Sequence, residues 1–387
     1  EREMKKIFLM HSTLIVSLLL ASCAMAATPT VTPTLTPMPA AHVMPPITEV
    51  AVTPLPTLTP IAVMTPTRGP TPTPLPEARI FVACESAKVV DVWQGFPARK
   101  VGEVKVGEYP HNISASNNGK YVATALRNDG TIAVIDAAAI KEIARIPVGT
   151  TPHDLAWAPD DSLLYVTHEF QTYFSIIDTK TWKLLKHVDV KFAQHDIAIS
   201  FDGSELWFTM NHYRGILVLD RETLKVKKEL TGFANGAHDL TLIPERDEVF
   251  VTSSGFIETS SDANPFVLVF DTKTYKLKDS KPMGFYPFHS VKKFRDGFFL
   301  EPNLPTFWLS DRGLGGVLEI DIAERKVITQ LKTGKSPFHM SAGPGGLIYV
   351  ANHDDSTVSV VDTKKRVVVE TIKVAKDPHG VVVVPAP

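Results

Sequence analysis

Seven histidines of this chain stand in related contexts: His111 in Tyr-Pro-His-Asn, His153 in Thr-Pro-His-Asp, His195 in Ala-Gln-His-Asp, His238 in Gly-Ala-His-Asp, His289 in Pro-Phe-His-Ser, His339 in Pro-Phe-His-Met and His379 in Asp-Pro-His-Gly. They recur at intervals of about 40 to 50 residues, the range of a repeat architecture. Each opens a strand-like run, so repeats arranged in a ring bring all seven imidazoles to one face. Seven imidazolium ions cannot crowd together, since each charge disfavours the next. Near pH 7 such a set is neutral or is compensated by an anion, and neutral imidazole is the commonest transition-metal ligand. Histidine-rich sites without a thiolate set suit copper, zinc, iron or nickel. The seven are therefore the expected metal ligands, with copper the leading candidate and zinc or iron the alternatives. Metal affinity is expected to fall as pH drops through about 6.5, the ordinary histidine pKa.

The loops between the second and third strands of each repeat are expected on the same face. They carry His168, Glu169, Asn211, His212, Asp311, Arg312, Asn352 and His353, and Cys84 falls at the repeat position of Asn352. His168, His212 and His353 are the expected cofactor contacts. Asp154, Asp196 and Asp239 directly follow three ring histidines and could accept hydrogen bonds that fix imidazole tautomers. In a regular strand the next residue points away, so a backbone carbonyl is the competing partner. Another set, Asp136, Asp178, Asp220, Asp271, Asp321 and Asp362, precedes turns, where an Asp side chain caps its own backbone; we assign these to turns and not to metal. The sequence has no His-Glu-x-x-His, phosphate loop, Gly-x-Ser-x-Gly or Cys-x-x-Cys-His. Turn chemistry inherited through blade duplication is the competing account of the histidine set.

The elements that must position these residues are short strands. Leu164-Tyr165-Val166-Thr167, Leu206-Trp207-Phe208-Thr209 and Ile348-Tyr349-Val350-Ala351 are each followed by a polar loop and a second β-rich run: Phe174 to Asp178, Ile216 to Asp220 and Val358 to Asp362. A Thr/Lys-rich turn and a fourth strand complete the unit, as in Trp182 to Val190. Four short strands per repeat indicate a propeller blade. The first repeat, from Ala78 to Val106, lacks a first strand, and the last is followed by an orphan first strand, Pro378 to Val384. Joining them closes the ring and leaves no free edge. The expectation is an all-β, seven-bladed β-propeller of four-stranded blades, closed by pairing N- and C-terminal strands in one blade.

The motif Tyr349-Val350-Ala351-Asn352, followed by Val358-Ser359-Val360-Val361-Asp362, resembles the YVTN-type β-propeller repeat of the WD40/YVTN-like superfamily. The resemblance covers nearly everything after residue 78. It implies the fold and leaves the chemistry open, because this repeat serves many roles. More distantly, the set of seven histidines resembles the propeller of nitrous oxide reductase, which holds a multicopper centre by seven histidines. That family has an adjacent His-His pair, and this chain has none. Propellers related to cytochrome cd1 bind a d1-type haem on the same face, so a haem d1-like group is the alternative cofactor. Lactonase propellers use acidic channel ligands, which a histidine-lined channel does not match.

The chain has 387 residues, and its 40 basic and 42 acidic side chains give a net charge of -2. No basic excess drives nucleic-acid binding, and no series of long apolar runs indicates a multi-pass membrane protein. Residues 1–27 read as a secretory signal, with Lys5 and Lys6 preceding an apolar run from Ile7 to Leu20. Its end, Leu20-Ala21-Ser22-Cys23, resembles a bacterial lipobox, which implies lipidation of Cys23; cleavage after Ala24-Met25-Ala26 is the competing reading. Residues 28–77 are rich in Pro and Thr and are expected to be an extended linker, with the propeller spanning 78–387. The expectation is a monomeric lipoprotein of the cell envelope, periplasmic or extracellular. It is membrane-anchored and redox-related, with an envelope protein or redox partner. The alternative is a non-catalytic propeller that binds a protein or glycan.

Overall fold

A computed structural model describes residues 77–210, 215–231, 237–243, 246–253, 266–282, 287–292 and 306–387. For residues 253, 266, 280–282 and 287–292 it describes the backbone alone. Cys23, the signal and most of the linker lie outside the described residues, as does His212.

The described residues form 28 strands grouped as seven four-stranded antiparallel blades. The closing blade takes its inner strand, Pro378–Pro385, from the C-terminal end and its other three from Ala78–Cys84, Val89–Gln94 and Arg99–Lys105. Arg79 pairs with Val384, Ile80 with Val383 and Phe81 with Val382. The inner strands of the next blades in chain order are Pro110–Ala115, Pro152–Trp157, Ile197–Ile199, Ala237–Ile243, Pro287–Lys292 and Pro337–Ala342. Two neighbouring inner strands run parallel, with Val291 opposite Met340 and Lys292 opposite Ser341.

Alternation explains the packing. Second and third strands are buried on both faces, so they read as near-continuous apolar runs of β-branched and aromatic residues. Between the closing blade and the last blade, Ile80, Val82, Tyr349, Val358, Val360 and Val383 share one apolar cluster. On the other side of the closing blade, Phe81, Val90, Val122, Ile135 and Val382 share another. Outer strands alternate exposed and half-buried residues, as Lys141–Pro147 does. The aspartates ending the third strands cap their turns: Asp178 Oδ1 accepts the Thr181 N–H at 2.7 Å, and Asp220 Oδ1 accepts that of Thr223 at 2.8 Å.

Candidate metal centre

The backbone aims the histidines through a repeated irregularity. In the inner strands of five blades the register shifts across the histidine: between Pro110 and Ile113, Pro152 and Leu155, Ala237 and Leu240, Pro287 and Ser290, and Pro337 and Met340. In the closing blade, the shift between Val82 and Cys84 lies opposite His379. A β-bulge of this kind re-aims a side chain. Four of the histidine turns also begin with a left-handed residue: Tyr109, Thr151, Ser336 and Asp377 have φ between 49° and 59° and precede Pro110, Pro152, Pro337 and Pro378.

Six imidazoles converge. Successive ring centroids are 5.1 Å apart for His339–His379, 3.7 Å for His379–His111, 4.7 Å for His111–His153, 4.0 Å for His153–His195 and 4.1 Å for His195–His238. All six are buried. The backbone of His289 lies in its inner strand, and its side chain is outside the described residues.

Glu85 completes the arrangement. It follows Cys84 directly, in the loop that faces the ring, and is buried. Its Oε1 meets Nδ1 of His111 at 2.5 Å and Nδ1 of His379 at 3.0 Å, and its Oε2 meets Nε2 of His353 at 3.2 Å. Burial pushes the Glu85 carboxyl up, but the hydrogen bonds to His111, His353 and His379 outweigh it and hold the group well below the usual carboxylate range. Burial pulls His111 down to about 3, helped by neighbouring His379 and opposed by Glu85. His153 is also held well below its ordinary value, first by burial and then by His195 and His111. His379 is lowered by burial against the pull of Glu85. These three rings are therefore neutral at pH 7, as metal ligands must be.

A second group lies beside the first: one ligand atom from each of His153, Glu169 and His195 falls within 4.8 Å of the others. Glu169 also pairs with Arg127, which lies over the Tyr109 ring at 5.9 Å. His353 joins the site through Glu85; burial lowers its pKa, but the bonds to Glu85 and Asp354 raise it overall.

His168 is not in the ring. It is fully buried in the blade, with Nδ1 2.7 Å from the Thr150 carbonyl and Nε2 2.7 Å from Ser175 Oγ. The equivalent Asn352 binds Ser359 Oγ at 2.9 Å in the same way, so this position brackets the blade. Cys84 is not on the face either: it is fully buried in an apolar cluster, and burial first, with Asp91 adding to it, drives its thiol pKa far up.

Asp154 and Asp196, which follow ring histidines, bridge neighbouring inner strands. Asp154 accepts from Asn112 Nδ2 at 2.8 Å and from the Ile197 N–H at 3.1 Å, and Asp196 accepts from the Leu240 N–H at 3.1 Å. They staple one blade's inner strand to the next. The second-strand threonines extend the staple: Thr167 donates to the His195 carbonyl and Thr209 to the His238 carbonyl, both at 2.8 Å. The backbone-carbonyl alternative is what His153 uses, its Nδ1 lying 3.1 Å from the His195 oxygen.

Neither protein-family profiles nor curated protein sequences match this chain. Solved structures do. A Kuenenia stuttgartiensis hydrazine synthase chain has a TM-score of 0.65 at 18% identity, covering 73% of this chain and 92% of that one. A functionally unknown protein from Desulfotomaculum acetoxidans has a TM-score of 0.66 at 10% identity, covering 81% and 100%. The dihydro-heme d1 dehydrogenase NirN in complex with DHE has a TM-score of 0.58 at 14% identity, covering 78% and 74%. At these identities the likeness establishes the propeller fold alone.

Proposed function

We propose that the histidine face of this propeller binds a transition-metal ion and serves a redox-related role at the cell envelope, in a monomeric chain anchored to the membrane by lipidated Cys23. The observation that carries the metal reading is the convergence of six buried imidazoles on one face with Glu85 among them. Neutral imidazoles supply borderline donors that suit copper first, and zinc or iron next. The ionised carboxylate offsets an incoming positive charge that the buried site would otherwise disfavour. The envelope placement is supported by the signal-like residues 1–27, the lipobox-like end at Cys23 and the Pro/Thr-rich stretch after it. A haem d1-like group is the related alternative, since one structural neighbour is a dihydro-heme d1 dehydrogenase solved with DHE.

The test is metal analysis of protein exported to a periplasm, followed by calorimetry with Cu(I), Cu(II), Zn(II) and Fe(II), and absorbance with free haem. We expect about one tightly bound ion per chain. If no ligand binds tighter than about 10 μM, the gain at tenfold excess ligand is only about 1.4 kcal/mol. The metal reading then fails, and a propeller that displays its loops to a protein or glycan partner replaces it.

A further inference from the structure

We infer, resting on that reading, that the ion sits between Nε2 of His111 and Nε2 of His153, with Glu85 positioning His111 from outside the coordination sphere. The geometry comes from a count of hydrogens. The two Nε2 atoms face each other at 3.1 Å. His111 Nδ1 is 2.5 Å from Glu85 Oε1, and His153 Nδ1 is 3.1 Å from the His195 carbonyl oxygen. Both acceptors require an N–H at Nδ1, because an ionised carboxylate and a carbonyl have no hydrogen to give. Two neutral imidazoles carry one N–H each, and both are then spent at Nδ1. The contact between the Nε2 atoms is left with two lone pairs and no hydrogen. One cation completes it.

A proton could be that cation, but it would place an imidazolium among six buried imidazoles, where burial disfavours the charged form. A metal ion suits the same place. With metal–nitrogen bonds of about 2.0–2.1 Å, a 3.1 Å separation gives an N–metal–N angle of roughly 95–100°, between square-planar and tetrahedral values. Both rings also carry the support that ligating histidines take, their other N–H going to a carboxylate or a backbone carbonyl. Glu169 is the additional oxygen donor within reach of His153. Direct ligation by Glu85 fits less well. Its 2.5 Å approach to His111 Nδ1 would close the N–metal–O angle to roughly 75° at ordinary bond lengths, whereas it is a natural charge-assisted hydrogen bond.

The experiment uses the full chain, stripped of metal. Zn(II) is titrated into protein labelled with 15N-histidine, and Cu(II) is followed by pulsed electron paramagnetic resonance. We expect the ion on Nε2 of His111 and His153, with the Nδ1–H of each retained. His111→Ala and His153→Ala should each weaken binding more than 100-fold. Glu85→Gln should keep the two-imidazole signature and weaken binding by about 10- to 100-fold, as loss of a supporting carboxylate does. Metal on Nδ1 of either ring overturns the inference, and so does a carboxylate oxygen signal that Glu85→Gln removes, or unchanged affinity in His153→Ala. In those cases the ion still binds and the metal reading stands. A wild-type chain that binds neither ion overturns both. The spectra of the wild type do not depend on any variant folding.

Discussion

Removing the Glu85 carboxylate should cost more than any single polar change elsewhere on the histidine face. Three ring nitrogens meet it, those of His111 at 2.5 Å, His379 at 3.0 Å and His353 at 3.2 Å, and the first two are buried. Glu85→Ala strands these groups. A buried donor left without its acceptor costs about 1–3 kcal/mol, so two such losses come to roughly 2–6 kcal/mol. The half-exposed His353 turns to water and adds little. Glu85→Gln keeps an oxygen toward His111 and His379 and gives up only charge assistance. It also relieves the cost of burying a charge, which works in its favour. Its expected loss is about 1–2 kcal/mol. The assay is chemical denaturation of metal-free protein at pH 7.5, comparing midpoints at constant slope. The reasoning fails if Glu85→Ala costs under about 1 kcal/mol, or if alanine and glutamine are equivalent, because either result means that the rings do not depend on this acceptor.

The closing blade depends on buried Val381, Val382, Val383 and Val384. At about 1.5–3 kcal/mol for each buried valine, deleting residues 378–387 removes roughly 6–12 kcal/mol, comparable with the whole stability of a typical domain. Cooperative unfolding should be lost, and an unchanged thermal midpoint would refute the closure. Acid should weaken the metal-free protein in a defined window. His111, His153 and His379 have lowered pKa values in the fold, so the unfolded chain takes up protons first. Their contribution is complete above pH 6.5 and is lost as pH falls from 6.5 toward the folded value of about 3 for His111. His111 alone costs about 3 kcal/mol by pH 4.5, and Glu85 adds its loss below that pH; stability flat from pH 7 to 4.5 would refute burial of neutral rings. Cys23→Ala should release the full-length chain from membranes into the soluble fraction; a variant that stays membrane-bound excludes lipidation as the anchor.

The ring was legible in the sequence because repetition reports geometry. A residue that returns once per blade returns once per turn of the ring, and the incomplete first repeat with its orphan last strand marked the closure between Ala78–Cys84 and Pro378–Pro385. Glu85 was not legible, because its repeat position carries unlike residues around the ring: Glu85, Arg127, Glu169, Arg312 and His353 all occupy it. Its role arises where three blades meet, with His111 from the next blade, His379 from its own and His353 from the one before. The available signal was that Glu169 and His353 share its position, one residue beyond the more conspicuous Cys84. His168 misled for the related reason that strand alternation turns the last residue of the second strand into the blade, as Asn352 shows. Within each repeat, other groups carry the turn and the staple. The staple between blades uses the carboxylates of Asp154 and Asp196, the hydroxyls of Thr167 and Thr209, and backbone groups. The turn itself needs a left-handed residue and a proline in the four blades that have both. Neither device requires an imidazole at position 111 or 379, and at both positions the ring nitrogens turn instead to Glu85, with His111 also reaching His153. Turn chemistry alone gives these two rings no side-chain partner, and Glu85 supplies one to each.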